Sequence, residues 1–145
     1  MGKKFTAQKA DKYVLYQLAV QSAEQDVDFL VETYKSIRGK QPNHLREDFC
    51  GTCLMSGYWV ELGGHYTAES YDIDPEPLQW GLDNNLKPLG DSGNRVVQYE
   101  EDARNPSRTA PDVRCAQNFS YWIFCNALYS WYDIKFSISK VTLFN

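Results

Sequence analysis

From residue 44 onward the sequence alternates short extended runs with helical ones, and each of the first three runs carries or leads into a carboxylate. "HLREDF", 44–49, gives way to a helical pattern over Thr52–Leu62, closed by Gly63 and Gly64. "HYTAESYDI", 65–73, reads as a strand with Tyr66, Ala68, Ser70 and Tyr71 facing cover. Asp74 then caps a helix with Pro75 in its first position, where a missing N–H costs nothing, and Leu78, Trp80 and Leu82 carry it towards Asn84. A turn at "DSGN", 91–94, precedes a third strand "RVVQYE", a loop "NPSRTAP", and a fourth strand "DVRCAQNF" that leads into "SYWIFCNALYSWY". Strands that alternate with helices build a parallel sheet with right-handed crossovers, so the chain is predicted to be α/β.

Two helices precede this alternation. "DKYVLYQLAVQ", 11–21, places Val14, Leu15, Leu18 and Ala19 at helical spacing. Ser22 followed by Gln25 predicts a capping box that opens a second helix. Its stripe is Val27, Leu30, Val31, Tyr34 and Ile37, and Gly39 with Pro42 stops it. A length of 145 residues with 43% apolar and 23% charged side chains suits one globular domain. The formal charge of −4 supplies no field to attract nucleic acid or anionic lipid. No run approaches the roughly 18 apolar residues of a membrane helix, and the N-terminus has no signal-type apolar core, so a cytoplasmic protein is expected. Four cysteines are too few for a disulfide scaffold and are expected as thiols.

The stretch "REDFCGTC", 46–53, admits three chemistries. A zinc site needs about four ligands, usually as two close pairs. Cys50 and Cys53 would make one pair, but Cys115 and Cys125 are far apart in register and His44 and His65 are isolated, so both histidines read as surface or loop residues and no metal is expected. A C-G-x-C run between strand and helix also fits a thioredoxin-like dithiol oxidoreductase using Cys50 and Cys53. In the third reading Gly51 centres a tight turn that brings backbone N–H groups close to a ligand. Asp72 then ends the next strand, where a carboxylate accepts from paired ribose hydroxyls, and Asp102 follows the third strand. These carboxylates line the carboxyl ends of a parallel sheet, where open α/β folds bind their ligands.

"LREDFCGTC", 45–53, resembles the first motif of class I S-adenosylmethionine-dependent methyltransferases, an acidic residue followed by G-x-G-x-G. "YDIDPEPLQWG", 71–81, is similar to their second motif, "EEDARNP", 100–106, to their third, and "DVRCAQNFSYWIF", 112–124, to a fourth strand and its substrate-side loop. The resemblance spans roughly residues 13–124. It implies a Rossmann-like parallel sheet with flanking helices, and S-adenosyl-L-methionine as cofactor. It also implies that Glu47 faces the methionine amino end, Gly51 and Thr52 form the turn, Asp72 holds the ribose, Asp102 and Ala103 border the adenine, and Asn118 lines the pocket mouth. On this basis 1–43 is an N-terminal helical segment, 44–124 the cofactor-binding core, and 125–145 a divergent tail.

Two departures qualify the resemblance. Phe49 and Cys53 stand where the first and third glycines are usual, which disfavours a dinucleotide site, since pyrophosphate needs those glycines. Beyond Phe124 the likeness stops: the family uses about seven strands, and this chain supplies about four, with one more in the alternation Phe136, Ile138, Val141 and Leu143. A shortened or divergent C-terminus is therefore expected to leave a sheet edge prone to self-association and to impair activity. No general base is evident, Tyr121 and Trp122 wall either a substrate site or a core, and the acceptor, small molecule or protein, is left open. The competing readings are the dithiol oxidoreductase and a non-catalytic cofactor-binding remnant.

Overall fold

The computed structural model of the chain describes residues 10–20, 22–116 and 142–143. Two helices come first, α1 (Lys12–Val20) and α2 (Ala23–Arg38). On α2 the stripe Val27, Leu30, Val31 and Tyr34 is buried, as its three- and four-residue spacing demands. Ile37 continues the spacing but is exposed, because the helix ends there: Gly39 turns the chain in the left-handed region (φ 68) and donates its N–H to the Lys35 carbonyl. The expected capping box does not form. Ser22 sits at φ −115, ψ 52, outside the extended region from which a cap oxygen reaches the first turn, and makes no side-chain cap bond. On α1 the expected apolar face is not part of the core: Val14, Leu15 and Leu18 are all exposed.

The sheet is assembled from β1 (His44–Asp48), β2 (Thr67–Asp72), β3 (Val96–Glu100), β4 (Val113–Ala116) and β5 (Thr142–Leu143). Its order is β3-β2-β1-β4-β5, with the first four strands parallel and β5 antiparallel to β4. α3 (Leu54–Glu61) crosses from β1 to β2, and α4 (Pro75–Gly81) leads from β2 towards β3. The register makes the carboxyl ends nearly flush: Asp48 lies beside Tyr71 and Ala116, and Asp72 beside Glu100. The predicted α/β architecture with two leading helices is what forms. Phe136, Ile138, Val141 and the run "SYWIFCNALYSWY" lie outside the described residues; of that predicted last strand, Thr142–Leu143 is described as β5.

Alternation divides the central strands into two unlike faces. Leu45, Ala68, Val113 and Cys115 join Met55, Trp59 and Val60 of α3 and the stripe of α2 in one apolar cluster. The opposite face carries Arg46, Asp48, Glu69 and Tyr71, all buried. Asp74 caps α4 as expected, its Oδ1 accepting the Glu76 N–H at 3.0 Å beside Pro75. The helix does not continue regularly to Asn84; past Gly81 it widens into a π-helical turn, Leu82–Leu86.

Candidate functional site

Residues 49–53 join β1 to α3 through a backbone that visits the left-handed region at alternate positions: Phe49 (φ 56), Gly51 (φ 52) and Cys53 (φ 55). This is the conformation a G-x-G-x-G turn provides freely, here retained with two side chains in place of glycine. Each such residue costs on the order of 1–2 kcal/mol. Cys53 serves as the N-cap from this conformation, so the helix predicted from Thr52 starts at Leu54. Among the described residues a Cβ added to Gly51 would meet nothing within 4 Å, so backbone strain and not crowding by them calls for glycine.

The neighbouring strand closes the turn. The Gly51 N–H donates to Asp72 Oδ2 at 2.8 Å, and the Cys50 N–H donates to the Tyr71 carbonyl at 3.0 Å. Asp72 Oδ1 accepts the Asp74 N–H at 3.0 Å, so this one carboxylate ties the first turn to the entry of α4. Thr52 is buried; its Oγ1 accepts from Gln17 Nε2 of α1, and its carbonyl from Asn85 Nδ2, both at 2.8 Å. α4 lies so close that a Cβ on Gly81 would sit 2.2 Å from the Thr52 oxygen. Gln17 and Asn85 thus hold the turn without belonging to any quoted motif, and only tertiary contact reveals them, while Gly81 closes the second motif where α4 packs on Thr52.

Glu47 is buried on the α3 side, where its Oε2 accepts the N–H and the hydroxyl of Ser56 at 3.2 and 2.5 Å. Ser56 Oγ is in turn 2.7 Å from Ser70 Oγ. Among the described residues Oε1 of Glu47 has no hydrogen-bond partner. Burial pushes this carboxyl up to about 7, against the opposing hydrogen bonds from Ser56. Asp102 behaves oppositely: its carboxylate accepts the Arg104 N–H at 2.8 Å and chelates that guanidinium, which holds it down at about 2. Ala103 is buried beside it, and the Glu101 N–H extends the sheet register to the Asp72 carbonyl at 2.9 Å. Glu47, Gly51, Thr52, Asp72, Asp102 and Ala103 therefore all lie at or next to the carboxyl ends of adjacent parallel strands. Asn118, Tyr121 and Trp122 lie outside the described residues.

The thiols take a different form from the oxidoreductase reading. Cys50 and Cys53 are buried, with sulfurs 3.4 Å apart and no disulfide between them. Burial, and then the neighbouring Cys53, push the Cys50 thiol well up, the reverse of an activated dithiol at a helix N-terminus. His44 is not a loop residue: it opens β1 half-buried, with Nδ1 2.7 Å from Thr67 Oγ1, and burial lowers its pKa. His65 is exposed in a turn. Among the described residues no group of three or more His, Cys, Asp or Glu is placed to hold a metal ion, and no helix is long and apolar enough to cross a membrane.

The fold defined by this sheet order and these strand-end turns is that of class I S-adenosylmethionine-dependent methyltransferases. Solved structures align with it at low identity. CalS10, an amino pentose methyltransferase from Micromonospora echinaspora with S-adenosylmethionine bound, matches 81% of this chain and 44% of its own at 13% identity, with a TM-score of 0.57. The plantazolicin methyltransferase BpumL in complex with S-adenosylhomocysteine matches 86% of this chain and 60% of its own at 12% identity, TM-score 0.54. The methyltransferase domain of bacterial CtHen1-CN matches 64% and 49% at 12% identity, TM-score 0.50. The chain thus spans between 44% and 60% of these proteins' lengths. No family model and no curated protein matches the sequence.

Proposed function

We propose that the chain binds S-adenosylmethionine at the carboxyl ends of β1, β2 and β3 and acts as a methyltransferase. The observation that carries this reading is the 2.8 Å bond from the Gly51 N–H to Asp72 Oδ2, which joins an open glycine turn to a strand-end carboxylate within this fold. The donor set suits the cofactor. Each oxygen of Asp72 already accepts one backbone N–H and keeps a second lone pair for a ribose hydroxyl. The space that the described residues leave beside Gly51 admits a ligand close to the backbone. On this reading Asp102 and Ala103 would border the adenine and Glu47 would face the methionine amino end.

The cofactor supplies an electrophilic methyl group on a sulfonium, and the protein's task is to hold donor and acceptor in line. Gly51, Thr52 and Asp72 would fix the cofactor, and the bonds from Gln17 and Asn85 to Thr52 would keep the turn from yielding. Calorimetric titration of the full chain with S-adenosylmethionine and S-adenosylhomocysteine tests this directly. Binding of either is expected, and Asp72→Ala should weaken it roughly ten- to a hundredfold, the weight of bonds to a charged group. Asp74→Ala is the control: it should leave affinity unchanged and cost about 1 kcal/mol of stability through the lost cap. Absence of binding, or affinity indifferent to Asp72, would remove the reading.

A further inference from the structure

Among the described residues, the bonds that dock α1 end on two elements, and both belong to the cofactor side of the fold. Towards its end, Gln17 Nε2 donates to Thr52 Oγ1 at 2.8 Å, inside the turn between β1 and α3. At its start the helix meets α4. The Trp80 indole N–H donates to Asp11 Oδ2 at 2.8 Å, Lys12 Nζ lies 2.5 Å from Glu76 Oε1, and the Tyr13 and Trp80 rings pack with centroids 5.2 Å apart. α1 is thus a strut between the turn and α4, the two pieces that Asp72 also joins.

The strut is lightly held. Exposed ion pairs contribute little, and one hydrogen bond commonly shifts an equilibrium by a factor of a few to about ten. Val14, Leu15 and Leu18 are exposed, so docking gains little from apolar burial. α1 therefore has two states, docked and detached, close enough in free energy for a ligand to shift their balance. Its anchors, by contrast, are firm. Thr52 is buried, its carbonyl accepts from Asn85 Nδ2 at 2.8 Å, and Gly81 of α4 packs directly on it. Any movement of α4 against the turn is therefore felt at both ends of α1.

We propose that docking of α1 and binding of an adenosyl cofactor are coupled through Thr52 and α4. A ligand that bonds both to the turn and to Asp72 fixes the turn against the entry of α4. It thereby fixes the span between Thr52 and Trp80 that α1 must match. α1 in place holds the same span and keeps the site in its binding form. The inference rests on the cofactor reading above and adds a conformational partner to it. Such coupling is reciprocal: the factor by which the ligand favours the docked helix equals the factor by which the docked helix favours the ligand.

The test combines hydrogen exchange over 12–20 with calorimetric affinities for S-adenosylhomocysteine, both on the full chain. Saturating ligand is expected to slow exchange of these amides by roughly five- to a hundredfold, levelling off once the site is full. Two kinds of variant detach α1 from opposite ends. Gln17→Ala removes the bond to Thr52, whereas Trp80→Phe with Glu76→Gln removes the bonds to α4 and leaves the turn untouched. Each should speed exchange over 12–20 and weaken the ligand by about two- to fivefold. The variant that combines all three changes should approach the factor read from exchange. Exchange over 12–20 that is indifferent to bound ligand would overturn the proposal. Weakening by Gln17→Ala but not by the two α4 changes would overturn it too, because a local loss at Thr52 would then suffice. Failure of the unaltered chain to bind S-adenosylhomocysteine at all would instead strike the cofactor reading, and this inference with it.

Discussion

Glu47 lies fully buried, with Oε2 held by Ser56 and Oε1 without a partner among the described residues, and its carboxyl is raised from 4.5 to about 7. Because the folded chain holds this proton more tightly than the unfolded one, the group's contribution to stability is fully present below the unfolded value and is lost as pH rises towards about 7. A shift of that size corresponds to about 3 kcal/mol as an upper bound. Glu47→Gln, which keeps the shape without the charge, is expected to melt higher than the unaltered chain at pH 8 and no higher at pH 4.5. Chemical denaturation across that range decides it, and equal stabilities at pH 8 would mean that Glu47 is not charged at a cost. Phe49 offers a second measurement at this scale. Its φ of 56 favours glycine, and its side chain is exposed. Phe49→Gly should therefore exceed Phe49→Ala in stability by about 1 kcal/mol. A reversed order would show that the side chain contributes more than its backbone costs.

Among the elements, α1 and α2 differ in what holds them. α2 has a buried stripe, whereas the contacts of α1 are polar or peripheral: Gln17 to Thr52, the Trp80 indole N–H to Asp11 Oδ2 at 2.8 Å, and the Tyr13 ring 5.2 Å from that of Trp80. Amides of 12–20 should accordingly exchange with solvent well before those of α2, since opening α1 exposes no core. Equal protection in a hydrogen-exchange time course would contradict this. The same contrast shows what the sequence makes legible. Period and punctuation locate both helices and the parallel strands, and acidic strand ends locate Glu47, Asp72 and Asp102, because these signals are local. They do not locate burial. The spacing of Val14, Leu15 and Leu18 looks like a core face and is exposed, whereas Arg46 and Asp48 look like the wet side of a strand and are buried. Their partners Ala103, Ser107 and Arg114 lie more than fifty residues further on, so no local pattern reports these contacts.

For the whole molecule, charge and topology bear on the same question, which is whether the sheet edge stays apart from other copies. The formal charge is −4 at pH 7 and the isoelectric point about 5.1, so mutual repulsion fades over the pH range in which burial of Glu47 costs least. β3 ends the strand order, and Val97 within it is 48% exposed, an apolar side chain on an edge strand of the kind that pairs with other chains. Light scattering is therefore expected to rise as pH falls from 7.5 to about 5 and to recover when it is raised again. Edge pairing and loss of net charge can be separated by two substitutions that add the same charge. Val97→Lys places a lysine on the edge, while Gln25→Lys places one on the exposed side of α2. If the edge drives association, Val97→Lys suppresses the scattering near pH 5 and Gln25→Lys does so only weakly. Equal suppression by both would assign the effect to net charge alone and clear the edge of β3.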